Sequence, residues 1–532
     1  DTLTFNGGLT TTSVGGTVTL EGTIDTSNDA IVLGAVTLGS NTLIDTNASN
    51  TTGDITIGAV TGGSNSLTLS MGNNVANTDI SASGAISGVT TLTLQNVGGT
   101  ATLSADVDVT TLVVGNTVAN VVFTGNGSSV VNAIAFANDG TLTLGQDGGT
   151  QTYNGGLTTT SVGGTVTLNG EIETSNDAIV FGAVTLGSAT TIDTDASSNA
   201  GDITIAAITG GSNNLTLSTG NNVAGADITA SGAISGLGNL TLADVGGTAT
   251  FSNNVAAAAL SADNTVANVS FTGGTNTFSG AASFANDGTL IFGDATGDSF
   301  TFNGGLNTAS VAGTVTLNTS ISSSDDALTF GAVTLGNNVT IDTNSTTTNR
   351  ADITIAAVTG GNNTLTLTTE NNIANADITA SGAISGVTTL TLASVGGTAT
   401  LSADVDVTTL VVGNTVANVV FTGNGSSVTN AISFANDGTL TLGQDGGTQT
   451  YNGGLTTTSV GGTVTVNGTL ATSNDAVVLG AVTLGSNTTI DTNATNTTGD
   501  ITIAAVTGGN NTLTLTTENN VTGSDVTASG NI

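Results

Sequence analysis

The chain repeats itself. The motif NGGL begins at Asn6 and returns at Asn154, Asn303 and Asn452, at offsets of 148, 149 and 149 residues, and most positions between these points match. Self-similarity at a fixed long period marks a repeat architecture, in which neighbouring units share one continuous core. The copies span 6–153, 154–302 and 303–451, and a fourth, 452–532, stops inside the unit. No composition shift or linker separates them, so 1–532 reads as one continuous solenoid, and its ends read as a window cut from a longer array.

A shorter period lies within the long one. Leu20, Leu38, Ile57, Ile80, Leu103, Phe123 and Leu144 form a ladder through strand-like segments such as TVTL, AVTL, DITI and DISA, and Leu168 opens the next copy. The steps between them run from 18 to 24 residues, which predicts about seven coils of roughly 21 residues in each copy. Apolar residues alternate with Thr in these segments, the period of a strand with one buried face. No stretch carries a helical period. The predicted class is therefore all-β, a parallel β-helix or β-solenoid.

Composition supports that class. Proline is absent and there are 76 glycines. Proline would delete a ladder hydrogen bond at any strand position, whereas glycine serves corners that need positive φ. Mean hydropathy is +0.27, which argues against disorder. The chain has no cysteine, so it forms no disulfide or thiolate metal site. A membrane barrel would carry aromatic girdles, yet there is no Trp and there are two Tyr. No apolar run is long enough for a membrane-spanning helix.

The charge is lopsided: 38 Asp and Glu against a single Arg, no Lys and no His, for a formal net charge of −37. That sign excludes nucleic-acid binding through phosphates and attraction to anionic lipid. Parallel copies of such a chain repel one another, so self-association into filaments or bundles calls for salt or divalent cations.

GDITI-x-AVTGG-x-N-x-LTL (53–69, 201–217) and the corner ASGAISG (82–88, 230–236, 381–387) give the chain a familiar cast. With its Gly/Asn/Thr/Val richness and lack of Cys, it resembles the β-helical repeat regions of filamentous-haemagglutinin-like exoproteins and autotransporter passengers. The resemblance covers the whole chain. It implies a right-handed parallel β-helix, secretion to a bacterial cell surface, and work as a matrix fibre or adhesin stalk, with cell-surface glycans as partners.

No catalytic constellation can be assembled. Without His or Cys there is no nucleophile–base pair of the usual kinds. Arg350, the only strong base, occurs in one copy of four, beside a one-residue insertion. The expectation is therefore no enzyme and no required cofactor. The candidate metal ligands are carboxylates that recur in register: Asp45, Asp193, Asp342 and Asp491, then Asp54, Asp202, Asp352 and Asp500. Hard oxygen donors of this kind suit Ca²⁺. The competing reading is that each Asp bonds to backbone N–H groups at a corner. Thr-x-Thr rows such as Thr17–Thr19 and Thr364–Thr366 raise an ice- or glycan-binding face, although uneven coil lengths oppose a flat array. Sequons such as Asn47, Asn126 and Asn344 are candidate glycosylation sites.

Overall fold

The computed structural model describes residues 1–198, 200–346, 351–519 and 521–532. Arg350 lies outside the described residues. The chain is all-β, without a helix among the described residues, and its parallel strands stack as a β-solenoid of about 24 turns, about 22 residues apart. Contacts divide it into two compact units, Asp1–Val269 and Ser270–Ile532.

In the first unit three ladders run side by side. One turn shows how. Ile31–Leu33 lies on the first ladder and pairs with Ile55–Ile57 in the next turn. Val36 begins the second ladder and pairs with Val60. Ile44 sits on the third and pairs with Leu69. The first two faces show the same triplet, apolar in, Thr out, apolar in, as in the buried–partly exposed–buried pattern of Ile55–Ile57; on the third, Thr42 is buried and Leu43 faces out before Ile44. Successive side chains point to opposite sides of a strand, so this pattern fills the lumen with Ile, Leu and Val and coats the surface with Thr. The buried set includes Ile31, Ile44, Ile55, Leu69 and Ile80, all fully enclosed.

The expected ladder of coils holds over most of its length and slips between Leu38 and Ile57 and again at Ile80. Ile57, Ala82, Leu103, Phe123, Leu144 and Leu168 do stack in register. Leu38, however, stacks on Leu20 on the second ladder, while Ile57 stacks on Leu33 on the first. Ile80 likewise aligns with Ile55, not with Ile57. The slip has a consequence for the long repeat. At about 22 residues per turn, an offset of 148 is about 6.7 turns rather than seven. The first ladder continues Leu142, Val166, Val184, Ile208. Ile179, the counterpart of Ile31, is not on it; it stands on the ladder of Leu157 and Ile203. Equivalent residues of copies one and two therefore occupy adjacent faces.

The second unit obeys the same rule. Asp342 follows Ile341 on the ladder Ile321–Ile341–Leu367, whereas its counterpart Asp491 follows Ile490 on the ladder Leu470–Ile490–Leu515. The ladder through Val477 and Ile501, counterparts of Leu328 and Ile353, begins on Ile432 and Leu455.

Candidate functional site

The eight candidate aspartates fall into two structural classes, and each class makes backbone hydrogen bonds. Asp193, Asp342 and Asp491 end a strand, Asp45 lies three residues before the end of its strand at Ala48, and all four are half-buried. Each accepts the N–H two residues on: Asn47 at 2.9 Å, Asp195 at 2.9 Å, Asn344 at 2.7 Å and Asn493 at 2.8 Å. The residue so held has positive φ, from 40 to 44° in the four copies. Asn and Asp tolerate that region best among residues with a side chain. The carboxylate thus nucleates the turn that leaves the strand. The following loop is closed at its base by a buried threonine: Thr46 donates to the Gly53 carbonyl at 2.7 Å and Thr194 to that of Gly201 at 2.6 Å. In copy three Thr343 reaches Ala351 instead, at 2.8 Å, so the inserted residue falls inside this loop.

Asp54, Asp202, Asp352 and Asp500 open a strand. Each accepts the N–H of the aspartate stacked one turn on: Asp79, Asp227 and Asp377 at 2.9 Å and Asp525 at 2.8 Å. The relay continues, because Asp79 accepts the N–H of Thr100 at 2.6 Å and Asp227 that of Thr248 at 2.7 Å. One turn further Asn120 accepts the N–H of Thr141 at 2.9 Å. A side-chain acceptor at each strand entrance thus satisfies a backbone donor where the chain bends away from the ladder.

Burial pushes the carboxyls of Asp45 and Asp193 up from the usual range, and the bonded backbone N–H groups pull the other way. Asp342 is pushed up to about 6, first by burial and further by the carboxylate of Glu370. Asp25 stands beside Asp45 in register, and Glu173 beside Asp193. No group of three Asp, Glu, His or Cys converges among the described residues. The candidate ligands are thus distributed along corners, two at most to a place.

Several polar residues that sequence reasoning passed over lie inside the lumen. Gln151 and Tyr153 are buried, and the Tyr153 hydroxyl donates to Gln151 Oε1 at 3.0 Å. Gln151 Nε2 donates to the carbonyls of Phe123 and Gly125, at 3.0 and 3.3 Å. Gln449 and Tyr451 repeat the arrangement. Burial raises both phenols well above their usual range. The available signal was the strand alternation itself, which places Gln151 and Tyr153 two apart on one face.

Among the shallow grooves of the surface, two, one in each unit, are built alike. The first, about 380 Å³, is lined by Ser64, Thr90, Asp108, Thr110, Ser129 and three valines. The second, about 330 Å³, is lined at repeat-equivalent positions, among them Asp406 and Thr408. No family model matches the chain, and neither a curated protein nor a solved structure matches it.

Proposed function

We propose that this chain is a structural segment of an extracellular fibre or bacterial surface filament. The observation that carries the reading is the unbroken run of parallel ladders through each unit, with acidic side chains used to hold corners. Backbone hydrogen bonds laid along the stacking direction resist stretching, and buried ladders present few cleavable segments to proteases. The excess of carboxylates keeps such a chain dispersed until salt or divalent cations screen it. Export and a surface location go with the resemblance of its repeats to secreted β-helical proteins.

Electron microscopy of the native material tests the proposal. Filaments of constant width, far longer than one chain, are expected, and discrete particles of one short length would overturn it. A second reading, the stalk of an adhesin, is favoured by discrete rods anchored to cells. A calcium chelator added to the same material tests whether cations bridge acidic chains. Bundles that disperse on chelation support bridging, and unchanged bundles rule it out.

A further inference from the structure

The two grooves share their construction. In the first unit the floor is a β-bulge: the register against the next turn shifts between Ser87 and Val89, where Gly88 takes φ of 65°. A bulge bends its strand and opens the corner. The walls come from neighbouring turns, with Ser64 on one side and Ser129 and Val131 on the other. In the second unit the shift falls between Ser385 and Val387, and Gly386 has φ of 67°.

Two kinds of group face each groove, a carboxylate and hydroxyls. Asp108 is exposed, and its carboxylate has no hydrogen-bond or charged partner among the described residues. Thr110 is an exposed hydroxyl beside it, with Ser64 and Ser129 nearby. Val131, 50% exposed, adds an apolar edge to the first groove, whereas the side chains of Val89 and Val109 are buried in the lumen. Asp406, Thr408 and Ser427 repeat the carboxylate and the hydroxyls, with Thr429 in place of Val131. Copy two changes these positions. Ala256 replaces the aspartate, Ala258 the threonine and Gly238 the residue at Thr90, while the bulkier Leu237 stands for Val89.

We propose that each groove binds a protonated amino sugar. The ammonium pairs with the carboxylate of Asp108 or Asp406. The ring hydroxyls bond to Thr110 and Ser129, or to Thr408 and Ser427, and in the first groove the C–H face of the ring rests on Val131. The charge of the ligand follows from the chain, which offers a free carboxylate, a net charge of −37 and no basic side chain among the described residues. The hydroxyl-rich rim and the small volume suit a mono- or disaccharide unit better than a peptide. The proposal stands apart from the fibre reading, which concerns assembly and needs no ligand.

The test is calorimetric titration of the full chain with a glucosamine disaccharide at near-neutral pH and physiological salt. Spermidine and the N-acetylated disaccharide serve as controls. Two sites per chain are expected, one for each groove. Asp108→Asn should weaken one of them about tenfold or more, the size of a lost charge-assisted hydrogen bond. Asp108→Asn with Asp406→Asn should weaken both, with the far-ultraviolet circular dichroism unchanged. Thr110→Ala with Thr408→Ala should weaken binding of the disaccharide and leave spermidine unaffected. The proposal is overturned if nothing binds, if the double aspartate variant binds as before, or if spermidine binds as tightly with the same stoichiometry. It is also overturned if the N-acetylated sugar binds equally well.

Discussion

Residues 123–153 and 271–302 are the same stretch of the repeat, yet they fill the lumen by different means. In the first, the buried pair Gln151 and Tyr153 bond to each other, and Gln151 reaches two backbone carbonyls. In the second, Phe300 and Phe302 stand at those positions and join Phe271, Phe278, Phe284 and Phe292 in an aromatic cluster, which holds six of the chain's 14 Phe. Phe278 and Phe302 stack at 5.1 Å, and Phe292 meets Phe300 edge-on at 5.2 Å. The polar partner changes too. Ser128 donates to the Gly125 carbonyl at 3.0 Å in the first stretch, and Asn276 reaches the equivalent Gly273 carbonyl at 2.8 Å in the second. The longer amide serves the corner carbonyl that Gln151 also served, so the phenylalanine that replaces the glutamine leaves that acceptor bonded. A lumen position thus accepts either chemistry, provided each buried polar atom keeps a partner.

The largest effect that would break this equivalence is the loss of a ring from the aromatic stretch. Phe292 packs against Phe271, Phe284, Phe300 and Phe302. Phe292→Ala should cost about 3–5 kcal/mol of local stability, because the surrounding ladders cannot collapse into the cavity. Its counterpart Leu144 has fewer atoms to lose, and Leu144→Ala should cost less. Hydrogen exchange of the amides in 269–302 and 121–153 measures each locally, which suits a repeat array that opens in parts. Equal protection losses would show that the rings add nothing beyond aliphatic packing.

The next effect sharpens the comparison. Tyr153→Phe removes the donor to Gln151 Oε1 and leaves a buried acceptor unpaired, at a cost of about 1–3 kcal/mol. Tyr153→Phe combined with Gln151→Phe and Ser128→Asn installs the solution of copy two. That triple variant should cost less than the sum of its single changes by about 1 kcal/mol or more, since the three positions touch. Strict additivity, measured by the same exchange experiment, would mean that the two fillings are independent choices at each site.

The contrast also shows what a reader of the sequence can see. The solenoid, its parallel ladders and the Ile/Leu lumen follow from repeated apolar–Thr–apolar triplets. The face on which a triplet sits does not. AVTL at 35–38 and DITI at 54–57 look alike, and only the register shows that they belong to different ladders. The first two faces use the same triplet, so composition does not tell them apart, and the third-turn offset between copies stayed hidden. The corner bonds of Asp54 and Asp45 were foreseeable from Asx chemistry. The grooves were not, because each depends on a bulge at one glycine and on residues from successive turns.

A smaller difference separates copies one and two from copies three and four. The position two after Ser70 is Gly72, with φ of 80°, and Gly220 matches it with φ of 65°. Glu370 and Glu518 hold the same left-handed corner, with φ of 46 and 47°. Glu370 stands by Asp342 and helps raise its carboxyl to about 6. A carboxyl whose folded pKa lies above its unfolded value contributes stability that is full at low pH and lost as pH rises through about 6. The turns around Asp342 should therefore gain exchange protection, on a scale corrected for intrinsic rates, as pH falls from 7 toward 5. Glu370→Gly should weaken that dependence without abolishing it and relieve the left-handed backbone, adding about 0.5–1 kcal/mol. A pH response that survives Glu370→Gly undiminished and disappears in Asp342→Asn would assign the effect to burial alone.

The smallest effect concerns the corners that all copies share. Asp79 needs only to accept the N–H of Thr100, and Asn120 performs the same task for Thr141 further along. A neutral amide oxygen is therefore sufficient, and Asp79→Asn should change stability by less than about 0.5 kcal/mol. Asp79→Ala removes the acceptor and should cost about 1 kcal/mol, the net value of one partly exposed hydrogen bond. The same pair at Asp227 should behave alike, because Thr248 takes the place of Thr100. If Asn were as damaging as Ala, the negative charge itself would be what the corner requires. The relay would then be a column of fixed charges rather than of acceptors, and the tolerance of Asn120 in that column would need another cause.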